Sequence, residues 1–495
     1  MKAFRGGDTI DEFFIAVENI DFICKPNDAI ALLSQADESE IAMKTTASTL
    51  VHTEGEANTS AARGAWNARL GDGRTQDLVS RDAAAFLHQS LSSPCLSAIA
   101  KAEGIWIEDT AGRRYMDFHG NSVHHIGYGH PRLRQAIKEQ IDTLSFAPRR
   151  FTCEPAVELA ETLGRLAPGD LGKVLFTTGG SDAIEVALRL ARAATGRFKT
   201  LSFWDAFHGA GFGASSVGGE ATFRSGIAGP LLPGAEHVAP WASRRCAYGQ
   251  DDLERSAKAC ASMISYVLGR EGDFAALVAE PMRATPNPPA PGFWKAVRDA
   301  CDRHGTLLIF DEIPTGLGKT GRFFACEHDE VVPDILVLGK ALGGGVLPIA
   351  GIVARRDLDV AGDYAIGHYT HEKNPVTTRA ALTTISIIRE EGLAERAAEL
   401  GDYVMERLRT FAERCPAVGD VRGRGLLFGV EIVSDRADFT PDNGLAERAY
   451  YRCLEAGLSL KISQGNVMTL SPPMVIARED LDRALTVVEA AILAG

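Results

Sequence analysis

Asp311 and Lys340 are the two residues whose chemistry could be paired. A lysine amine forms a Schiff base with an aldehyde cofactor. Pyridoxal 5'-phosphate (PLP) is such a cofactor, and it needs an acidic partner on its pyridine nitrogen so that the ring withdraws electrons. Lys340 could be that amine and Asp311 that acid. Taken singly, each has a plainer role, as a solvated lysine or a strand-end carboxylate capping a loop. The runs that precede them bring them together. Leu307–Phe310 and Ile335–Leu338 are apolar, bounded by Gly or Pro, and too short for helices. Such runs read as strands buried on both faces of a parallel sheet. The first ends in Asp311, and the second passes through Gly339 into Lys340. Ligands of open α/β sheets bind beyond the carboxyl ends of the strands, so both residues are expected at one crevice.

Other strand ends carry further candidates. Lys173–Phe176 runs into Gly179-Gly180-Ser181 and then into a helical pattern with Ile184, Ala187, Leu188 and Ala191 on one face. Backbone N–H groups at such a helix start attract phosphate. Thr200–Trp204 ends near Phe207-His208-Gly209, and Phe274–Ala279 ends at Glu280. An aromatic face at Phe207 suits a flat π-system.

In this order, these elements resemble the class III, PLP-dependent aminotransferase family. The match is carried by Asp311-Glu-Ile-Pro-Thr-Gly-Leu-Gly-Lys-Thr-Gly321 and Pro333-Asp-Ile-Leu-Val-Leu-Gly-Lys340-Ala-Leu-Gly-Gly-Gly345. It spans residues from about 85 to 493. The resemblance implies an α/β chain of the PLP-dependent transferase fold type I. That fold has a large domain, with a mostly parallel sheet flanked by helices, and a smaller α+β domain. The expected division is 1–48 as an N-terminal extension, 49–145 as an N-terminal segment and part of the small domain, 146–375 as the PLP-binding domain, and 376–495 as the C-terminal small domain. The resemblance also implies that Lys340 is the Schiff-base lysine and that Asp311 holds the pyridinium. Gly179, Gly180 and Ser181 would form the phosphate cup. Phe207 would stack on the ring with His208 beside it, and Glu280 would lie near the cofactor hydroxyl. Thr370 aligns with a threonine that reaches the phosphate of the partner subunit, which implies a homodimer with shared sites.

Departures from the family pattern bear on the substrate. The family's glutamine is Pro314 here, two glycines are Glu372 and Lys373, and an arginine that grips carboxylates in many members is Thr469. Polar His119, Asn121 and His124 stand in a loop that borders the substrate in the family. Arg149 and Arg150 sit between Phe146 and Phe151. An arginine fork matches phosphate or carboxylate oxygens, so the pair are substrate candidates; a surface salt bridge is the alternative. Together these features resemble a phosphonate-catabolism branch of class III. That implies a lyase eliminating from a small phosphonate-bearing amine, with 1-hydroxy-2-aminoethylphosphonate giving phosphonoacetaldehyde and ammonia. The rivals are an ω-amine:pyruvate or 2-oxoglutarate aminotransferase, and a catalytically silent binding protein of the same fold.

Composition bounds these readings. The chain has 495 residues, with Lys plus Arg 52 against Asp plus Glu 65, a net charge of −13. That balance argues against nucleic acid or an anionic membrane as partner. The 9 cysteines are scattered without a Cys-x-x-Cys pair, and the 12 histidines show no metal-ligand spacing. Reduced thiols and no metal are expected. No apolar run reaches the ~20 residues of a membrane span, and the N-terminus has no signal-peptide core. A cytoplasmic enzyme is expected. In the extension, Asp11 to Phe22 could form a short amphipathic helix, and Met43 is an alternative start.

Overall fold

The structure is a computed structural model that describes residues 60–70, 73–89, 92–93, 95–224 and 228–495. The expected extension, with its helix from Asp11 and its alternative start at Met43, lies outside the described residues. Strands follow in chain order. They are β1 (Ile99–Glu103), β2 (Trp106–Asp109), β3 (Arg114–Asp117), β4 (Leu171–Thr177), β5 (Lys199–Phe203), β6 (Ala235–Val238), β7 (Phe274–Ala279) and β8 (Leu307–Asp311). Then come β9 (Ile335–Leu338), β10 (Ala350–Arg355), β11 (Val418–Arg424), β12 (Leu427–Asp435), β13 (Thr440–Pro441), β14 (Leu458–Ser459), β15 (Lys461–Ser463) and β16 (Val467–Leu470).

The central sheet has the order β4-β10-β9-β8-β7-β5-β6. All its pairings are parallel except those that β10 makes with β4 and β9. Every residue of β7, β8 and β9 is buried, as uninterrupted apolar runs require. Their side chains alternate between two layers. Leu277, Leu308, Phe310, Leu336 and Leu338 enter one core. Val278, Ile309, Ile335 and Val337 enter the other, against Ile184, Ala187 and Leu188 of the helix Gly180–Thr195. The sheet is thus covered on both faces, the arrangement expected of a parallel α/β sheet.

Two smaller sheets complete the fold. One has the order β1-β2-β3-β14, with β14 parallel to β3. The other has the order β11-β12-β16-β15, with β13 beside β12. The β14–β3 pairing ties residues 116–117 to 458–459. On these contacts we propose division of the described chain at 145 and 375, with the β1–β3 segment joined to the C-terminal part. β11 and β12 form a hairpin, because the chain turns back after β11 at Gly425-Leu426. Two helices follow residue 374, Pro375–Glu390 and Leu393–Arg414, separated at Glu391-Gly392. The glycine- and proline-rich segment 218–240 contains β6, which pairs with β5.

Asp334, just ahead of β9, clamps the sheet beneath the strand ends. Its Oδ2 accepts from the Leu308 amide at 2.6 Å and from Arg298 Nη1 at 2.7 Å, and its Oδ1 accepts from Arg355 Nη1 at 2.5 Å. Its own amide donates to Leu308 O at 2.8 Å, and its carbonyl accepts from the Arg355 amide at 3.0 Å. One carboxylate therefore joins β8, β9, β10 and the helix Phe293–His304. Removing one partner of a buried ionic group costs about 3–5 kcal/mol. Because Arg355 is partly exposed, Asp334→Ala should sit at the low end, about 3 kcal/mol. A lowered urea midpoint would report it, and Asp334→Asn should lose less.

Candidate active site

The parallel strands end on one cavity of about 420 Å³. Asp311 closes β8 and Lys340 follows β9 by two residues. Glu280 follows β7, and Phe207 and His208 come from the loop after β5. Gly180 and Ser181 open the helix Gly180–Thr195 beyond β4. All of these residues line the cavity. Gly179 lines an adjoining cavity of about 290 Å³ that also touches Gly180 and Lys340.

Asp311 is buried and held from two sides. Its Oδ2 accepts from His208 Nδ1 at 2.8 Å, and its Oδ1 accepts from the Ile313 amide at 3.1 Å. His208 is itself buried, with Nε2 3.4 Å from Ser202 Oγ. The carboxylate is therefore fixed in direction. Lys340 has φ of 43°, a left-handed conformation rare in residues other than glycine. Asn121 and Ser122, at φ of 46° and 58°, line the same cavity. Strained backbone of this kind clusters at ligand sites.

The helix start supplies an anion cup. Gly179 and Gly180 leave the backbone N–H groups of the first turn accessible. Ser181 Oγ accepts from the Ala210 amide at 3.1 Å, which ties the cup to the Phe207–Gly209 loop. Phe207 packs on Phe223 with centroids 4.5 Å apart and keeps a half-buried face on the cavity. An amine, a fixed acid, an aromatic face and a phosphate-accepting helix start are the donor set that PLP requires, so the residues present fit it.

Not every expected residue lies here. Thr370 and Arg150 are exposed and Arg149 is half-buried, and none of the three lines the cavity. His119 and Asn121 do line it. His124 is buried behind it, with Nε2 3.0 Å from Asp117 O, and burial pushes its pKa down to about 4. Pro314 and Thr469 line the cavity, so both departures from the family pattern bear on bound molecules. Ile313, Lys461 and Ser471 line it too and were not among the expected residues. Ile313 could have been found from its place beside Asp311. Lys461 could not, because it reaches the site only through the pairing of β15 with β16.

Residues 88–492 match the family described as Aminotransferase class-III. The chain belongs to the class III aminotransferase family. Its cofactor is pyridoxal 5'-phosphate, in keeping with the donor set above. Among its relatives, the chain is 45% identical to the (R)-1-hydroxy-2-aminoethylphosphonate ammonia-lyase of Vibrio splendidus strain 12B01, over 89% of this chain and 94% of that enzyme. It is 37% identical to a leucine/methionine racemase of Thermococcus litoralis, over 81% and 91% of the two chains. Among solved structures, it matches a PLP-bound amine transaminase from an uncultivated Pseudomonas species, with a TM-score of 0.78 and 30% identity, over 83% of this chain and 98% of that one. The fold is thus the PLP-dependent transferase fold type I expected from the motifs.

Gly209 offers a direct test of the cup. Its φ is 130°, and a Cβ there would lie 2.8 Å from Ser181 Cα. Gly209→Ala must strain the loop or displace Ser181, at a cost of about 1–3 kcal/mol. PLP affinity, read by absorbance titration of the apoprotein, should fall roughly tenfold or more.

Proposed function

We propose that this class III enzyme is a PLP-dependent ammonia-lyase acting on (R)-1-hydroxy-2-aminoethylphosphonate. The observation that carries the reading is the 45% identity to the ammonia-lyase of that substrate, over 94% of its length. The cavity supports it. Thr469 stands where many family members have a carboxylate-gripping arginine, and no arginine is among the described residues lining the cavity. A lyase needs no keto-acid partner and so has no use for that arginine.

When bound, PLP supplies an electron sink for the amine-bearing carbon of the substrate. In our reading Lys340 anchors it, and Lys340 Nζ is the base that takes a proton from that carbon. Asp311, held by His208 and the Ile313 amide, keeps negative charge opposite the protonated ring nitrogen. The Gly179-Gly180-Ser181 turn would receive the phosphate, Phe207 would cover the ring, and Glu280 would lie at its hydroxyl side. The adjacent carbon loses its hydroxyl as water. Hydrolysis of the resulting enamine takes up one water and yields phosphonoacetaldehyde and ammonia. Atoms balance with no oxidant or reductant.

A homodimer with shared sites accounts for the residues outside the cavity. The segment carrying Arg149 and Arg150 packs against the segment carrying Thr370. Phe146 meets His371 edge-on at 5.4 Å, and the Cys153 thiol donates to Lys373 O at 3.4 Å. Phe151 and Tyr364 are exposed nearby in sequence, and exposed apolar groups beside such polar residues favour a partner surface. From there Thr370 would reach a neighbour's phosphate cup, and Arg149 and Arg150 would line a neighbour's substrate entrance. Every described cysteine is a free thiol, which supports a cytoplasmic location. Among the described residues no helix is long and apolar enough to cross a membrane.

The second reading is an aminotransferase, favoured by the amine transaminase among the solved structures. Ammonia release decides between the two. The purified holoenzyme should liberate ammonia from (R)-1-hydroxy-2-aminoethylphosphonate without any keto acid, and Lys340→Ala should abolish it. Product that forms only with pyruvate or 2-oxoglutarate would transfer the chain to the aminotransferase reading. For the shared site, Thr370→Ala should weaken PLP binding while light scattering still reports a dimer. A fully active monomer would refute that arrangement.

A further inference from the structure

Lys461 is a cation of the cavity that neither the family motifs nor the cofactor accounts for. Antiparallel pairing of β15 with β16 sets it directly opposite Thr469. Residues directly opposite on neighbouring strands present side chains to the same face. Both line the 420 Å³ cavity, and so does Ser471, two positions beyond Thr469. Residues two apart in extended chain share a face, so 461, 469 and 471 form one wall. The Ser471 side chain is buried, and its Oγ has no hydrogen-bond partner among the described residues. Leaving a buried hydroxyl unsatisfied is costly, and a ligand oxygen in the cavity would relieve it. Thr469 is committed elsewhere, with Oγ1 donating to Ser463 Oγ at 3.0 Å.

Among the described residues that line the cavity, the lysines are Lys340 and Lys461, and Lys340 is assigned to the cofactor. We propose that Lys461 and the Ser471 hydroxyl form the subsite that holds the phosphonate group of the substrate, an inference that rests on the lyase reading above. The chemistry favours a phosphonate over a carboxylate. A planar carboxylate is matched by the fork of an arginine. A tetrahedral group with three oxygens takes separate donors from different directions, which a compact ammonium and a hydroxyl provide. The wall thus replaces the fork lost at Thr469 with a point charge on the facing strand.

The test uses holoenzyme and two probes. 2-Aminoethylphosphonate lacks the hydroxyl and cannot eliminate, so its binding is read directly as a change in cofactor absorbance. Ethanolamine carries the same amine and no phosphonate. Lys461→Met should weaken binding of 2-aminoethylphosphonate by roughly ten- to a hundred-fold, as loss of a charge-assisted contact does, and leave ethanolamine and PLP binding unchanged. Lys461→Arg should restore part of the loss, and Ser471→Ala should give a smaller loss of the same selectivity. An equal loss for both probes, no loss for the phosphonate, or no binding of it to the wild type overturns the subsite. Wild type that binds 2-aminoethylphosphonate through Lys461 yet releases no ammonia from the hydroxylated substrate overturns the lyase reading and leaves the subsite standing. Ammonia release with an unchanged KM in Lys461→Met does the reverse.

Discussion

Parallel pairing of β7, β8 and β9 is the constraint on which the site depends. The register sets Ala279 beside Phe310 and Asp311 beside Val337. With the strands running the same way, Glu280, Asp311 and Lys340 emerge at one edge instead of alternating between two. An antiparallel neighbour would send one of them to the far side of the sheet. The single antiparallel strand inside the sheet, β10, lies beyond β9 and interrupts no pairing among these three. The Asp334 clamp acts at the opposite ends of β8 and β9, so it fixes the register from which Asp311 and Lys340 project.

Buried charge reinforces the floor below the cavity. Lys319 is fully buried, and burial pushes its pKa down to about 7. Its Nζ donates to Pro472 O at 2.7 Å, which fastens the segment that carries Ser471. Glu312, next to Asp311, is likewise buried, and burial pushes its pKa up to about 7. It accepts from the Ala325 and Cys326 amides at 2.6 and 2.8 Å. Burying ionisable groups is unfavourable unless each finds partners. Glu312 ties the glycine-rich stretch after β8 to the turn at Ala325-Cys326, and Lys319 ties it to Pro472. In the motif from Asp311 to Gly321 the first residue thus lines the cavity while Glu312 and Lys319 tie down its walls.

Much of this was legible in the sequence because it is local. All-apolar runs announce strands buried on both faces, and the residue that ends each run is then placed at the ligand edge. That logic brings Asp311, Lys340, Glu280, Gly180 and Ser181 to one cavity, with Gly179 at the adjoining one. Pairings between distant segments were not legible. β15 is three residues long and carries no pattern. Its pairing with β16 brings Lys461 to the wall, and the parallel β14–β3 pairing helps join the two ends of the described chain. His124 was expected beside the substrate with His119 and Asn121, but the positive φ values at Asn121 and Ser122 turn the chain so that His124 faces the core. Arg149, Arg150 and Thr370 fall outside the cavity of the single chain, and a pairing of two chains is the arrangement in which we propose they act.

The wall formed by Lys461, Thr469 and Ser471 links sequence change to the proposed reaction. A transaminating member of the family must accept two substrates in turn at one cavity, and the second is a keto acid whose carboxylate wants a planar partner. Thr469 removes that partner, and it is itself occupied by Ser463. The charge at Lys461 stands on the opposing strand, one interstrand spacing away. An anion held there sits differently from one held by an arginine at 469, and an ammonium imposes no plane on it. Such a cavity receives a tetrahedral anion without loss and gives a keto acid no forked grip, so the substrate that enters is one that carries both its anion and its leaving group. On the proposed subsite, threonine at 469 and lysine on the facing strand thus favour elimination over transfer, while Asp311 and Lys340 keep the places that the family motif gives them.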